Sequence, residues 1–198
     1  MNSKHDFSSD SGNSYAVTDG ATEDRMCVFC HTPHNAVENI PLWNRSGQTG
    51  TYELYTSSAT LTSAVKNSVI TSDNISYKCL SCHDGTITIG GTSVVNGDIG
   101  GTGEFLSGTA LIMDGESLTD DHPIGFDYSR VSANGDAAGI KTVAEVTGTV
   151  KFYKAGTTKT NQMECASCHD VHGQAAPGTK FLRTSNTGSA LCLTCHIK

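Results

Sequence analysis

Four stretches of the chain place two cysteines and a histidine in one fixed order: Cys27-Val28-Phe29-Cys30-His31, Cys79-Leu80-Ser81-Cys82-His83, Cys165-Ala166-Ser167-Cys168-His169 and Cys192-Leu193-Thr194-Cys195-His196. All eight cysteines lie in these stretches. Two thiols three residues apart, on one turn of backbone, can each form a thioether to a haem vinyl group, and the histidine that follows is set under the iron as its first axial ligand. The pattern implies four covalently bound haem c groups, with His31, His83, His169 and His196 as proximal ligands. A zinc site has no reason to put His after the second Cys every time, and a disulfide framework has no need of His at all.

Each iron then needs a second ligand. Of eight histidines, four complete the motifs and four remain: His5, His34, His122 and His172. Four irons and four spare imidazoles point to bis-His ligation throughout. Methionine is the competing ligand, but Met26 and Met163 adjoin their own motifs and Met113 lies in a Gly-rich segment, so the methionines read as gap fillers.

The spare histidines also repeat. The order is a lone His5, a motif ending at His31, His34 three residues on, and a second motif ending at His83; the second half gives His122, His169, His172 and His196 in the same order. Local text rhymes as well, His5-Asp6-Phe7-Ser8 against His122-Pro123-Ile124-Gly125-Phe126-Asp127-Tyr128-Ser129 and His31-Thr32-Pro33-His34 against His169-Asp170-Val171-His172. A histidine three residues beyond the proximal one cannot pass round the porphyrin to its own iron, so His34 and His172 must serve other haems. The simplest pairing gives His34 to the haem of His83 and His172 to that of His196, leaving His5 and His122 for the haems of His31 and His169. If His122 instead reaches back to the haem of His31, the repeat sends His5 to the haem of His169 in another molecule, which makes an open head-to-tail polymer.

The elements that hold these groups must be spare. With 198 residues, 36% of them hydrophobic and 21 of them Gly, haem faces must supply much of the apolar interior. The expected fold is mostly irregular coil with short helices around the motifs and a few short strands, Thr86–Ile89 and Val146–Tyr153 among them, organised as a single domain over 1–198 with pseudo-repeat halves 1–110 and 111–198. A formal charge of −7 disfavours nucleic acid and anionic membranes as partners. No apolar run is long enough to span a bilayer. The start, Met1-Asn2-Ser3-Lys4, is not a signal peptide, and because haem c is attached after export, a signal is expected to have been removed. Asn44-Arg45-Ser46 and Asn74-Ile75-Ser76 match the glycosylation acceptor pattern, which arises often by chance in such a chain. Asp120 and Asp121 stand just before His122, where either can accept its Nδ1 proton.

The text His31-Thr32-Pro33-His34, Cys79-Leu80-Ser81-Cys82-His83-Asp84-Gly85, Asp121-His122-Pro123-Ile124-Gly125 and Cys168-His169-Asp170-Val171-His172-Gly173 resembles the doubled-CxxCH family of multihaem cytochromes. Within it, the chain looks like the tetrahaem extracellular cytochrome filaments. That resemblance implies a multihaem cytochrome c fold, an extracellular or cell-surface place, and a homopolymer in which His5 completes a haem of the adjacent subunit. Redox partners would be other cytochromes or external electron acceptors. A monomeric periplasmic shuttle is the alternative. A multihaem reductase is the third reading, but it needs a haem with an open coordination site, and a full set of spare histidines argues against an enzyme.

Overall fold

A chain this rich in Ser, Thr and Gly cannot satisfy its backbone N–H and C=O groups through long helices or ladders, and side chains take over much of that task. The computed structural model describes residues 3–17, 23–36, 41–46, 52, 54–56, 61–99, 103–113, 117–133, 139–173 and 180–197. The fold is mostly coil, with short helices and one small sheet. The chain divides into two units, Met1–Thr51 with Leu80–Glu116 and Tyr52–Cys79 with Ser117–Lys198. Each unit is made of two separate stretches of chain, and in the second Tyr52–Cys79 packs with Ser117–Lys198.

In the first unit the core is a cluster of Phe7, Phe29, Ile89, Val94, Ile99 and Leu106. Phe7 meets Phe29 edge to face with ring centroids 5.5 Å apart, an arrangement favoured by the aromatic quadrupole. Phe29 lies between the cysteines of the first motif and is fully buried, so the motif is anchored by its own variable position. We expect Phe29→Ala to cost about 3–5 kcal/mol, the range for deleting a buried aromatic ring; an unchanged guanidinium midpoint would remove Phe29 from the core. Backbone demand is met locally by Asn44, whose Nδ2 donates to the carbonyls of Val28 and Asn96 at 2.7 Å each and whose Oδ1 accepts from the Asn96 N–H at 2.9 Å.

The second unit holds the sheet. β1 (Phe126–Asp127), β2 (Tyr153–Ala155) and β3 (Lys159–Met163) are antiparallel in the order β1-β3-β2, with Phe126 opposite Met163 and Tyr153 opposite Gln162. The β2–β3 hairpin turns through Gly156 at φ 59°, where a Cβ would stand 2.8 Å from the Asp73 carboxylate, so only Gly fits. Asn161 at φ 54° sits in β3 where the β2–β3 register is irregular, a bulge that a short polar side chain tolerates. β3 leads directly into Glu164 and the third motif.

The helices are α1 (Ser63–Lys66), α2 (Ile75–His83), α3 (Tyr128–Ala133), α4 (Cys165–Cys168) and α5 (Cys192–Cys195), with 3₁₀ turns that include Met26–Phe29. Each motif thus lies on a helical turn, as anticipated. The two anticipated strands are not formed. Residues 146–152 carry no ladder because Gly148, at φ 95°, interrupts the alternation; Val150 is buried and Phe152 stacks on Tyr128 at 4.6 Å, so the pattern reports burial alone. Thr86–Ile89 contributes one isolated bridge, Thr88 to Phe105. Both acceptor-like asparagines are fully buried, with Asn44 bonded as above and Asn74 Nδ2 on Glu164, so neither presents a surface for a glycan. Among the described residues no helix is long and apolar enough to cross a membrane.

Candidate haem-attachment sites

In the first, third and fourth motifs the histidine N–H donates to the carbonyl of the first cysteine, at 2.9 Å for His31 to Cys27, 3.1 Å for His169 to Cys165 and 2.9 Å for His196 to Cys192. One closed turn therefore presents the sulfurs, and His169 and His196 then leave in extended conformation. In the second motif α2 continues through His83. None of the eight cysteines is joined to another by a disulfide. Among the described residues no three or more His, Cys, Asp or Glu converge as ligands for a metal ion. Burial pushes the Cys30 thiol up to about 12, against the pull of the Arg45 guanidinium, and pushes Cys168 up to about 11. Cys165 goes the other way, lowered first by a hydrogen bond with Cys79. That contact sets the leading cysteines of the second and third motifs side by side.

Three of the four proximal histidines have Nδ1 on a backbone carbonyl: His31 on Pro41 at 2.7 Å, His83 on Ala110 at 2.7 Å and His169 on Lys180 at 2.8 Å. A neutral ring that donates from Nδ1 keeps its lone pair on Nε2, the form that binds iron, and its orientation is held by the bond. His122 is held similarly, with Nδ1 on the Pro123 carbonyl at 3.0 Å. Neither Asp120 nor Asp121 takes the His122 Nδ1 proton. Asp121 Oδ2 is buried without a hydrogen bond, and desolvation with the nearby Asp120 raises its carboxyl.

The repeat has a structural counterpart inside each unit. In the first, Asn44 N–H donates to Cys30 O, Thr32 N–H to Leu42 O, and His31 bridges Trp43; in the second, Arg183 N–H donates to Cys168 O, Asp170 N–H to Phe181 O, and His169 bridges Leu182. Leu42 and Phe181 occupy the same place in the two loops and both take positive φ, 63° and 59°. Asp6 Oδ1 accepts from the Ser8 N–H and hydroxyl, as Asp127 Oδ1 does from Ser129.

The same symmetry governs the spare histidines, in a pairing that differs from the one anticipated. His5 lies with its ring centroid 6.0 Å from that of His83, and His122 lies 6.5 Å from His196, with interplanar angles of 76° and 87°. Two imidazoles on opposite sides of one iron have centroids about 6 Å apart, two metal–nitrogen bonds of about 2 Å plus a ring radius at each end. The residues present therefore fit haem. His5, anticipated to complete a haem in a neighbouring subunit, sits against a proximal histidine of its own chain. His34 and His172, anticipated beside His83 and His196, stand exposed on the turns after their motifs. Met113 and Met163 are buried filler, and Met1 lies outside the described residues.

Sequence reasoning missed two buried charges that tie motifs together. Arg45 donates to the carbonyls of Phe29, Ser81, Thr88 and Ile89, and so bonds the first motif to the second. Glu164 accepts from Asn74 Nδ2 at 2.6 Å and from the Ser76 N–H and hydroxyl, while its own N–H donates to Ser167 Oγ at 2.9 Å, capping α4. For Glu164 its place directly before Cys165 was the available signal; Arg45, far from any motif cysteine in the sequence, offered none. Arg183 plays a more local part, fixing the third motif through Ala166 O at 2.7 Å, Asp170 Oδ2 at 3.0 Å and the Tyr153 hydroxyl at 2.9 Å.

No curated protein matches the chain. The family model of the doubled CXXCH motif matches residues 158–198, which hold the third and fourth motifs. Over those residues the chain is similar to that family; the CXXCH motif implies covalently bound haem c and is consistent with a multihaem c-type cytochrome.

Proposed function

We propose that the protein carries electrons through four bis-His haem c groups and is the subunit of an extracellular cytochrome filament. The observation that supports the ligation is the pair of facing histidines, His5 with His83 and His122 with His196, repeated in the two units at the spacing one iron requires. Haem supplies one-electron Fe(III)/Fe(II) chemistry. The chain holds the rings of His31, His83, His169 and His122 through Nδ1, and a histidine on each side of the iron would leave no position for substrate, which favours electron transfer over catalysis.

The histidines outside those two pairs are His31 and His169, each closing a motif, and His34 and His172, each three residues beyond one. Neither His34 nor His172 reaches the iron of its own motif, and both are exposed. We assign them to haems of a neighbouring molecule, a heterologous contact that propagates because the donor and the acceptor are different surfaces. On this reading His34 and His172 are the intersubunit ligands, where the resemblance to the filaments implied His5. The presence of His5 beside His83 in one chain is equally what a monomeric periplasmic shuttle requires, so assembly decides between the two. Partners are one-electron donors and acceptors, cytochromes or external oxidants.

The holoprotein is expected to show four haems per chain by mass, a wholly low-spin spectrum, and fibres in electron micrographs. Fewer than four haems, or a persistent high-spin fraction, sinks the bis-His carrier. Globular particles at every concentration sink the filament and leave the shuttle.

A further inference from the structure

Arg45 is 1% exposed, and its four hydrogen-bond acceptors are all backbone carbonyls, Ile89 at 2.8 Å, Thr88 at 2.5 Å, Phe29 at 3.4 Å and Ser81 at 3.5 Å. Among the described residues no carboxylate pairs with it, and its Nε has no acceptor. Carbonyl dipoles solvate a cation but do not cancel its charge. Two of these carbonyls belong to Phe29 and Ser81, each between the cysteines of a motif, so an uncompensated positive charge lies against the backbone of both the first and the second haem-attachment turns. Taking a cation out of water is costly, and such a group persists where the surroundings or a function require it.

Glu164 is its opposite. It is also 1% exposed, and its carboxylate accepts from Asn74 Nδ2, the Ser76 N–H and the Ser76 hydroxyl, with no cation among its bonded partners. It directly precedes Cys165, whose N–H donates to the same Ser76 hydroxyl at 2.9 Å. A buried negative charge thus adjoins the third attachment turn.

Reduction places one electron, drawn from a one-electron donor cytochrome, on the iron and lowers the net charge of the site by one. A nearby buried cation favours the reduced form and a nearby buried anion the oxidised form, and low effective dielectric strengthens both effects over those at a surface. Resting on the haem reading above, we propose that Arg45 raises the reduction potentials of the haems at Cys27–His31 and Cys79–His83 while Glu164 lowers that of the haem at Cys165–His169. These two residues are positioning charges that bias where an electron rests along the chain; neither is a ligand.

The test is a spectroelectrochemical titration of the holoprotein, with individual haems followed by NMR, for wild type, Arg45→Gln, Arg45→Lys and Glu164→Gln. Arg45→Gln is expected to shift the one-electron equilibrium of two haems about tenfold or more towards the oxidised form, ~59 mV for each factor of ten. Arg45→Lys, which keeps the charge and loses the planar fork, restores most of that shift. Glu164→Gln is expected to shift one haem by a similar factor towards the reduced form. Mere loosening of the fold admits water and favours the oxidised form in every variant, so opposite signs separate electrostatics from structure. Shifts of the same sign, Lys behaving as Gln at position 45, or potentials within threefold of wild type in variants that retain four low-spin haems, would overturn the proposal. If Arg45→Gln does not fold, the sign in Glu164→Gln decides alone. A wild-type protein with fewer than four haems, or with a high-spin haem, overturns the carrier reading, and the proposal with it.

Discussion

His5→Ala leaves one haem per molecule five-coordinate and high-spin while the protein assembles as wild type does. The ring of His5 sits 6.0 Å from that of His83 within one chain, so removing it opens one iron without touching any contact between molecules. His122→Ala has the same effect at the haem of His196. The measure is the high-spin fraction in absorption and EPR spectra, about one quarter of the haem in each single variant and about one half in the double, with low-spin character restored by added imidazole. The potential of the opened site also moves, since axial ligation spans roughly 0.8 V across haem proteins. His34→Ala and His172→Ala give the same spectral change together with loss of fibres. Loss of fibres in His5→Ala, with the other variants assembling normally, would return the intersubunit role to His5.

Glu164→Ala is expected to be the most destabilising single substitution in the second unit. Its carboxylate accepts three hydrogen bonds from Asn74 and Ser76, which are themselves fully buried, and truncation leaves those donors without an acceptor and without water. Hydrogen bonds to a charged group contribute about 1.5–3 kcal/mol each, and they do not add in full, so a loss of about 3–5 kcal/mol follows. Domains are stable by only about 5–15 kcal/mol, and such a loss brings the protein near its unfolding limit at physiological temperature. Guanidinium denaturation of the holoprotein reads the effect as a lowered midpoint, and Asn74→Ala should lose a smaller part of it. A midpoint within experimental scatter of wild type would show that the network is not structural.

What was legible in the residues is what short stretches of backbone settle. A Cys-x-x-Cys-His turn closes on itself, with the His N–H on the first Cys carbonyl, and so the helical character of each motif follows from five consecutive positions. The doubling was legible for the same reason, because each copy carries its own Asp/Ser turn and its own His-x-x-His text. Burial was legible in Val146–Tyr153, but strand pairing was not, since a ladder needs a partner and the chain offered that partner to Tyr153 and the residues after it.

The sequence by itself carried the text of the four CXXCH turns and the repeated order of the histidines; only the tertiary structure shows which rings lie close to which and where the buried charges lie. The physical reason is that loop closure discriminates weakly by length. Returning His5 to His83 rather than to His31 makes the loop about three times longer, which costs only about 1 kcal/mol, so chain length does not choose between them. For Arg45 and Glu164 the deciding contacts come from residues distant in the chain, Ser81, Thr88 and Ile89 for the first and Asn74 and Ser76 for the second. A charge in a loop ordinarily faces water, and only the surrounding fold turns these two inward.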